Sequence, residues 1–253
     1  MIPRSIKPDL PVDPVTVVIL RAVAEETQAE GIDYLLVGAT ARDVLLTHVH
    51  GLASRRATYD VDFAVAVKNW DQFAALRTRL IARGTFNATD KAQQRLYYQA
   101  PDSNLAYQLD LVPFGGISEG TNAIAWPPDM KIIMNIAGYD DVLAAAELVT
   151  VAPDFDGKVV SRPGLAILKL VAWSDRGRVD PKDAHDLIHL MNSYAAAGNV
   201  DRIYDEDGVI AGMQKVQPVK RSTIASTSKK TASLSTATAT ASTTQAPTAR
   251  ERQ

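Results

Sequence analysis

Tyr59-Asp60-Val61-Asp62-Phe63 places two carboxylates two positions apart, in a run that continues as Ala64-Val65-Ala66-Val67. Along a strand, residues i and i+2 share a face, so Asp60 and Asp62 lie on one side with Val61, Phe63, Val65 and Val67 on the other. Like charges side by side on an apolar strand are costly unless a cation offsets them. Hard divalent ions such as Mg²⁺ take carboxylate oxygens together with substrate phosphates. A solvent-facing strand start would also account for the pair. The bulky apolar groups opposite favour the metal.

Two flanking stretches give this pair its context. Upstream, Leu36-Val37-Gly38-Ala39-Thr40-Ala41-Arg42-Asp43 reads as a strand, a glycine turn and a helix start. Glycine lets a backbone approach a ligand closely, and free N–H groups opening a helix favour phosphate. A single Gly there is also ordinary turn geometry. Downstream, Gln108-Leu109-Asp110-Leu111-Val112 sets one acid inside an apolar strand. If that strand neighbours the Asp60 strand, Asp110 completes a three-carboxylate cluster able to clamp two metals for an in-line phosphoryl displacement.

The remaining elements follow from punctuation and period. Asp13-Pro14 starts a helix that runs to Gly31, and Tyr34–Val37 is a strand. A helix covers roughly Ala39–Thr47, His48–Tyr59 is loop, and Trp70–Ala82 is an amphipathic helix. Strands near Gln94–Gln99 and Ala106–Val112 form a hairpin about Pro101-Asp102-Ser103-Asn104. Short strands around a small helix fill Ile132–Val160, and two helices follow, after Ser161-Arg162-Pro163 and after Asp180-Pro181. The expected organisation is an α+β lobe over residues 1–125, an α-rich lobe over 126–212 and a Ser/Thr/Ala-rich tail over 213–253. The tail has too little apolar surface to offset its ordering entropy and is expected to be disordered.

Composition removes several chemistries. The chain of 253 residues has no cysteine, which excludes disulfide scaffolds, thiolate zinc sites, iron–sulfur clusters and cysteine nucleophiles. No apolar stretch approaches the roughly 18–20 residues of a membrane span. Met1-Ile2-Pro3-Arg4-Ser5 runs into prolines rather than an apolar leader, so a cytoplasmic location is expected. The net charge of −2 is an average: Lys215–Gln253 hold seven of the 27 basic residues and one of the 29 acidic ones, leaving +6 on the tail and −8 on the body.

Taken in order, Val37-Gly38, Asp60-Val61-Asp62 and Asp110 resemble the nucleotidyltransferase superfamily of the DNA polymerase β-like fold. Gly38–Leu45 is also similar to the Gly-Gly-x-x-Arg-Asp stretch of the tRNA CCA-adding branch, with Ala39 in place of the second Gly and Thr40 able to supply a hydroxyl. The spacing from Gly38 to Asp60 is longer than common, which suggests an inserted loop at His48–Ala57. Lys169, Arg176 and Lys182-Asp183-Ala184-His185-Asp186-Leu187 resemble the Lys…Arg…Lys-Asp-x-x-Asp-Leu pattern of AbiEii/AbiGii-type nucleotidyltransferase toxins. Arg56-Ala57-Thr58-Tyr59-Asp60-Val61-Asp62 is similar to the Arg-x-Thr-x-Asp-h-Asp start of that family's metal motif.

The resemblance implies a bilobed, Mg²⁺-dependent enzyme that moves a nucleotide from an NTP to a hydroxyl, such as an RNA or tRNA end, and that an antitoxin opposes. It implies metal ligation by Asp60, Asp62 and Asp110 and nucleotide contacts from Gly38, Ala39, Thr40, Arg42 and Arg56. Lys169 would meet the triphosphate, and Asp186 with Lys182 and Asp183 would complete the site. Read on residues alone, Lys169 suits a side chain snorkelling from an apolar helix and Lys182-Asp183 a charged first turn. Two other functions stay open: a nucleotidyltransferase for a small hydroxyl compound, which an acidic body suits if that compound is cationic, and a degenerate nucleotide- or protein-binding domain. His185/His189 and His48/His50 are pairs without a third ligand, so zinc is the minority reading. Arg55-Arg56 suits either phosphate or solvent.

Overall fold

The computed structural model describes residues 3–53, 59–89, 92–101 and 105–205. Arg55, Arg56, most of the turn at 101–104 and the tail lie outside them. Strand β1 is Arg4–Ser5, helix α1 Pro14–Ala29, β2 Asp33–Val37 and α2 Gly38–Asp43, which continues as π-helical turns through Val44–Val49. Then come β3 (Asp60–Ala66), α3 (Trp70–Ala82), β4 (Phe86–Ala88), β5 (Arg95–Gln99) and β6 (Ala106–Phe114). After a 3₁₀ turn, β7 (Ala123–Trp126) and β8 (Ile132–Asn135) precede α4 (Tyr139–Ala144), β9 (Glu147–Ala152) and β10 (Phe155–Val159). Helices α5 (Arg162–Arg176), α6 (Lys182–Ser193) and α7 (Val200–Asp205) close the described chain.

Caps fix the helix starts that the sequence marks. Asp13 accepts from the Thr16 N–H at 2.9 Å, Asn69 from the Gln72 N–H at 2.9 Å and Ser161 from the Gly164 N–H at 3.3 Å. In α1, Thr16, Ile19, Leu20, Val23 and Thr27 are buried along one stripe, the spacing of a face pressed on a sheet. Glu26 on that helix joins Arg79 of α3 and Arg83 just after it at 2.8 Å each.

The main sheet has eight strands in the order β1-β9-β10-β2-β3-β6-β5-β4, and β7-β8 form a separate pair. It is mixed: β3 runs parallel to β6 and antiparallel to β2, and β10 runs parallel to β2. Phe63, Leu36, Leu96, Leu109 and Leu111 are fully buried on the apolar face that alternation assigns, and Leu35 is buried on the opposite face, so the central strands are covered on both sides. Trp126 of β7 packs against Trp70 at 5.2 Å and Phe73 at 5.8 Å, which ties the small pair of strands to α3.

The chain is thus mixed α/β with helices flanking a large sheet, as the sequence leads one to expect. Three details differ. The helix after Gly38 persists to Val49, where loop was expected from His48. β4 and β7 are too short for a periodic signal. Beyond the expected boundary at 125/126, β9 and β10 enter the main sheet beside β2, and Met1–Ile203 group as one compact unit. A second unit, Tyr204–Gln253, has only Tyr204 and Asp205 among the described residues.

Candidate active site

Register brings the glycine turn to the acid pair. In the β2–β3 ladder Val37 pairs with Asp62, so the chain leaves β2 directly over that carboxylate. Gly38 has φ +70°, and a β-carbon there would overlap Asp62 Oδ2. Only glycine meets both conditions. Thr40 Oγ1 donates to the Asp60 carbonyl at 2.7 Å and clamps α2 to β3, so its proton serves the backbone and not a ligand.

The parallel β3–β6 ladder aligns Asp62 with Asp110. Burial, then the Asp110 charge, push the Asp62 carboxyl up to about 6, with Asp60 adding to the rise while Lys169 and Lys182 oppose it. Among the described residues no hydrogen bond or ion pair holds the Asp62 side chain. Asp110, by contrast, is fully engaged. Arg95 Nε and Nη2 donate to its two oxygens at 2.8 Å each, and Gln108 Nε2 donates at 3.1 Å. The antiparallel β5–β6 register sets Arg95 opposite Asp110, and that pairing raises the guanidinium pKa further.

A second set of charges links α2, α5 and α6. Lys169 Nζ donates to Asp183 at 3.0 Å and to Asp186 at 2.6 Å; Arg176 donates to Asp183 at 2.7 Å, and Arg42 to Asp186 at 2.9 Å. Arg42 also reaches Asp43 at 2.9 Å. The Asp183 side chain is 1% exposed. Burial works to raise its pKa, but the hydrogen bonds from Arg176 and Lys169 outweigh it and hold the carboxyl below its usual range. Asp183 and Arg42 both line the cleft, and both are held by these pairs: Asp183 steadies Lys169, and Arg42 bridges Asp43 and Asp186. Lys182 is exposed at the cleft.

These groups border one cleft of about 970 Å³, whose lining includes Gly38, Asp60, Asp62, Asp110, Lys169 and Asp186. Ala39 is at its rim and Tyr139 on its wall, the phenol pushed up to about 12 by burial and by the Asp62 charge. Arg95 is the residue that sequence reading passed over. Its signal was present, because a hairpin centred on residues 101–104 sets 95 against 110. Among the histidines, His185 and His189 border the cleft, while His48 Nδ1 lies 2.8 Å from the Leu10 carbonyl.

The donor set tests for a divalent ion. It is all oxygen, and Asp62 is a carboxylate whose charge burial and Asp110 disfavour and which no ion pair holds among the described residues, the situation a hard cation relieves. Asp60 and Asp62 fit such an ion. Among the described residues no group of three His, Cys, Asp or Glu side chains is arranged to hold a metal ion, and Arg95 holds both Asp110 oxygens.

A family model described as nucleotidyl transferase AbiEii toxin, type IV TA system, matches residues 19–232. No curated protein matches the chain. Among solved structures, an antigenic nucleotidyltransferase-like protein from Paracoccidioides brasiliensis is 17% identical with a TM-score of 0.47, over 72% of this chain and 78% of that one. The antibiotic-resistance factor ANT(2″)-Ia is 13% identical with a TM-score of 0.44, over 87% and 99%. A CCA-adding enzyme in complex with CTP is 15% identical with a TM-score of 0.28, over 40% and 21%.

Proposed function

We propose a reaction for a chain that belongs to the AbiEii nucleotidyltransferase toxin family and is a nucleotidyltransferase: it moves a nucleoside monophosphate from an NTP to a hydroxyl at an RNA or tRNA end. The observation that carries this reading is the convergence of Gly38, Asp60, Asp62 and Asp110 at one end of three adjacent strands, facing Lys169 across the cleft. In the reaction a bond forms between the acceptor oxygen and the α-phosphorus, the bond from that phosphorus to the bridging oxygen breaks, and pyrophosphate leaves.

Asp60 and Asp62 would hold Mg²⁺, which when bound neutralises phosphate charge and orients the triphosphate. Lys169, steadied by Asp183 and Asp186, presents an ammonium to the triphosphate from the helical wall. Gly38 lets the start of α2 come directly against Asp62 at the edge of the cleft. Asp110 takes the proton of the attacking hydroxyl or joins a second cation when Arg95 releases it. Catalysis on this scheme is mostly positioning and charge compensation.

The family's description as a toxin supports an opposing antitoxin product. A second acceptor class, a small cationic hydroxyl compound, is favoured by the −8 charge of the body. Incubation with each α-³²P NTP, Mg²⁺ and total RNA tests the proposal. Label is expected in a tRNA-sized band and absent with Asp62→Asn. Label entering only an added aminoglycoside would replace the RNA reading with the second.

A further inference from the structure

Away from the cleft, basic groups from four separate segments meet at the far end of the helix that Gly38 begins. The Lys7 N–H donates to the His48 carbonyl at 2.7 Å, which lays the N-terminal lead over the last helical turn, and the Lys7 ammonium rests against Gly51. The His50 ring packs on Gly198. Arg162, at the start of α5, donates to the Ala197 carbonyl, and Arg4 pairs with Glu147 at 2.8 Å. Two buried polar atoms one turn apart, Thr47 Oγ1 and His50 Nε2, have no hydrogen-bond partner among the described residues.

The field there is positive. His50 is held below its usual pKa by burial and by the charges of Arg162, Arg4 and Lys7. Arg162 is lowered by burial and by Arg4 and Arg202, with Glu147 the acid that opposes them. Arg4 and Arg202 act on Arg162, and Arg162, Arg4 and Lys7 act on His50, in a body that is otherwise net acidic. Arg4, Lys7 and Arg202 are exposed, so an anion from solvent can reach them.

Two helices measure the distance to the cleft. Arg162 and Lys169 lie on α5 about 10 Å apart, and Gly38 and His50 are roughly 15–18 Å apart along α2 and its extension. An NTP held at Asp60 and Asp62 does not cover that span. A strand whose terminal hydroxyl enters the cleft does, with its backbone phosphates a few nucleotides back arriving at the basic end.

We propose that Arg4, Lys7, Arg162 and Arg202 form a docking site for the phosphate backbone of a single-stranded RNA end, upstream of the hydroxyl that receives the nucleotide. This inference rests on the RNA-acceptor reading above and extends it from the reacting atoms to the rest of the acceptor. The recognition is electrostatic and independent of sequence.

The test uses the full chain and a 5′-fluorescein single-stranded RNA, followed by anisotropy over a range of salt. For a Lys7→Glu/Arg202→Glu variant the expected result is at least about tenfold weaker RNA binding, with the salt slope reduced by about 0.7 for each phosphate no longer neutralised. NTP binding, followed by calorimetry, is expected to be unchanged. Lys131→Glu, a charge reversal on the separate β7–β8 hairpin, is expected to leave RNA affinity as in the wild type. Lys7→Gln/Arg202→Gln provides a milder pair if the double reversal fails to fold. Wild-type affinity and slope in both double variants, while the wild type still labels RNA, would overturn the docking site and leave the proposed reaction standing. Equal weakening by Lys131→Glu would also overturn it. No labelling of any RNA by the wild type would remove the acceptor reading, and the docking site with it.

Discussion

Gly38 and Asp62 are in such close contact that no side chain fits between them: a β-carbon on the glycine would overlap the carboxylate Oδ2. The backbone there is also left-handed, at φ +70°. The two constraints are independent, since one is local conformation and the other is the register that pairs Val37 with Asp62.

Gly38→Ala therefore combines a strained backbone with a clash. It is expected to lower stability by about 1–3 kcal/mol and to displace Asp62, which costs most of the transfer activity. Urea unfolding and the labelled-nucleotide assay, run on the same preparation, check both. A variant with wild-type stability and turnover would show that the close approach has no consequence.

Asp62 governs a pH response whose sign follows from its environment. Burial and the neighbouring acids raise its carboxyl from 3.8 to about 6 in the folded chain, so folding favours the protonated form. The stability this contributes is complete below 3.8 and is lost as pH rises to about 6. Asp62→Asn should flatten that fall and raise stability at about pH 7 by on the order of 1–3 kcal/mol, while abolishing transfer. Melting curves across the window decide it; a steeper decline in the variant would contradict the assignment.

Arg95 and a cation compete for the same oxygens of Asp110. In the absence of divalent ions Arg95→Ala should cost about 1–2 kcal/mol, the scale of a bidentate charged pair at a partly open site. Saturating Mg²⁺ should recover much of that loss, because three carboxylates then become available to it. Thermal melts with and without Mg²⁺ read this directly. Equal destabilisation in both conditions would show that Asp110 does not face the cation.

Asp183 lies buried between Lys169 and Arg176, and its removal leaves two cations without their shared acid. Asp183→Ala is expected to destabilise by about 3 kcal/mol or more. Its lowered pKa contributes stability that is present above the ordinary carboxylate value and lost as pH falls through the depressed one. The variant should thus lose stability less steeply in acid than the wild type. Lys169→Met, with the positive end removed, should weaken NTP binding while α6 stays folded, and calorimetry with circular dichroism separates the two effects.

Much of the site is legible in the chain alone. The acids of β3 stand two apart, strand period sets positions two apart on one face, and that period is readable in any single sequence. The caps at Asp13, Asn69 and Ser161 are local hydrogen bonds, and residues within three positions specify them. Arg95 was within reach, since a hairpin turn fixes which residues oppose each other. The entry of β9 and β10 into the main sheet was not, because short strands far apart in sequence carry no mark of their partners.

The sequence by itself determined which groups could do the chemistry: Asp60, Asp62 and Asp110, and a turn at Gly38 that tolerates close approach. These are properties of residue type and local period. Only the tertiary structure decided which of them are already paired. Alignment of β3 with β6 and β5 with β6 leaves Asp62 without an ion pair among the described residues and gives Asp110 to Arg95. The packing of α2, α5 and α6 commits Asp186 to Arg42 and Lys169, and Asp183 to Lys169 and Arg176. Charge compensation acts through space, at distances of a few ångströms, between residues that chain order separates by up to 144 positions.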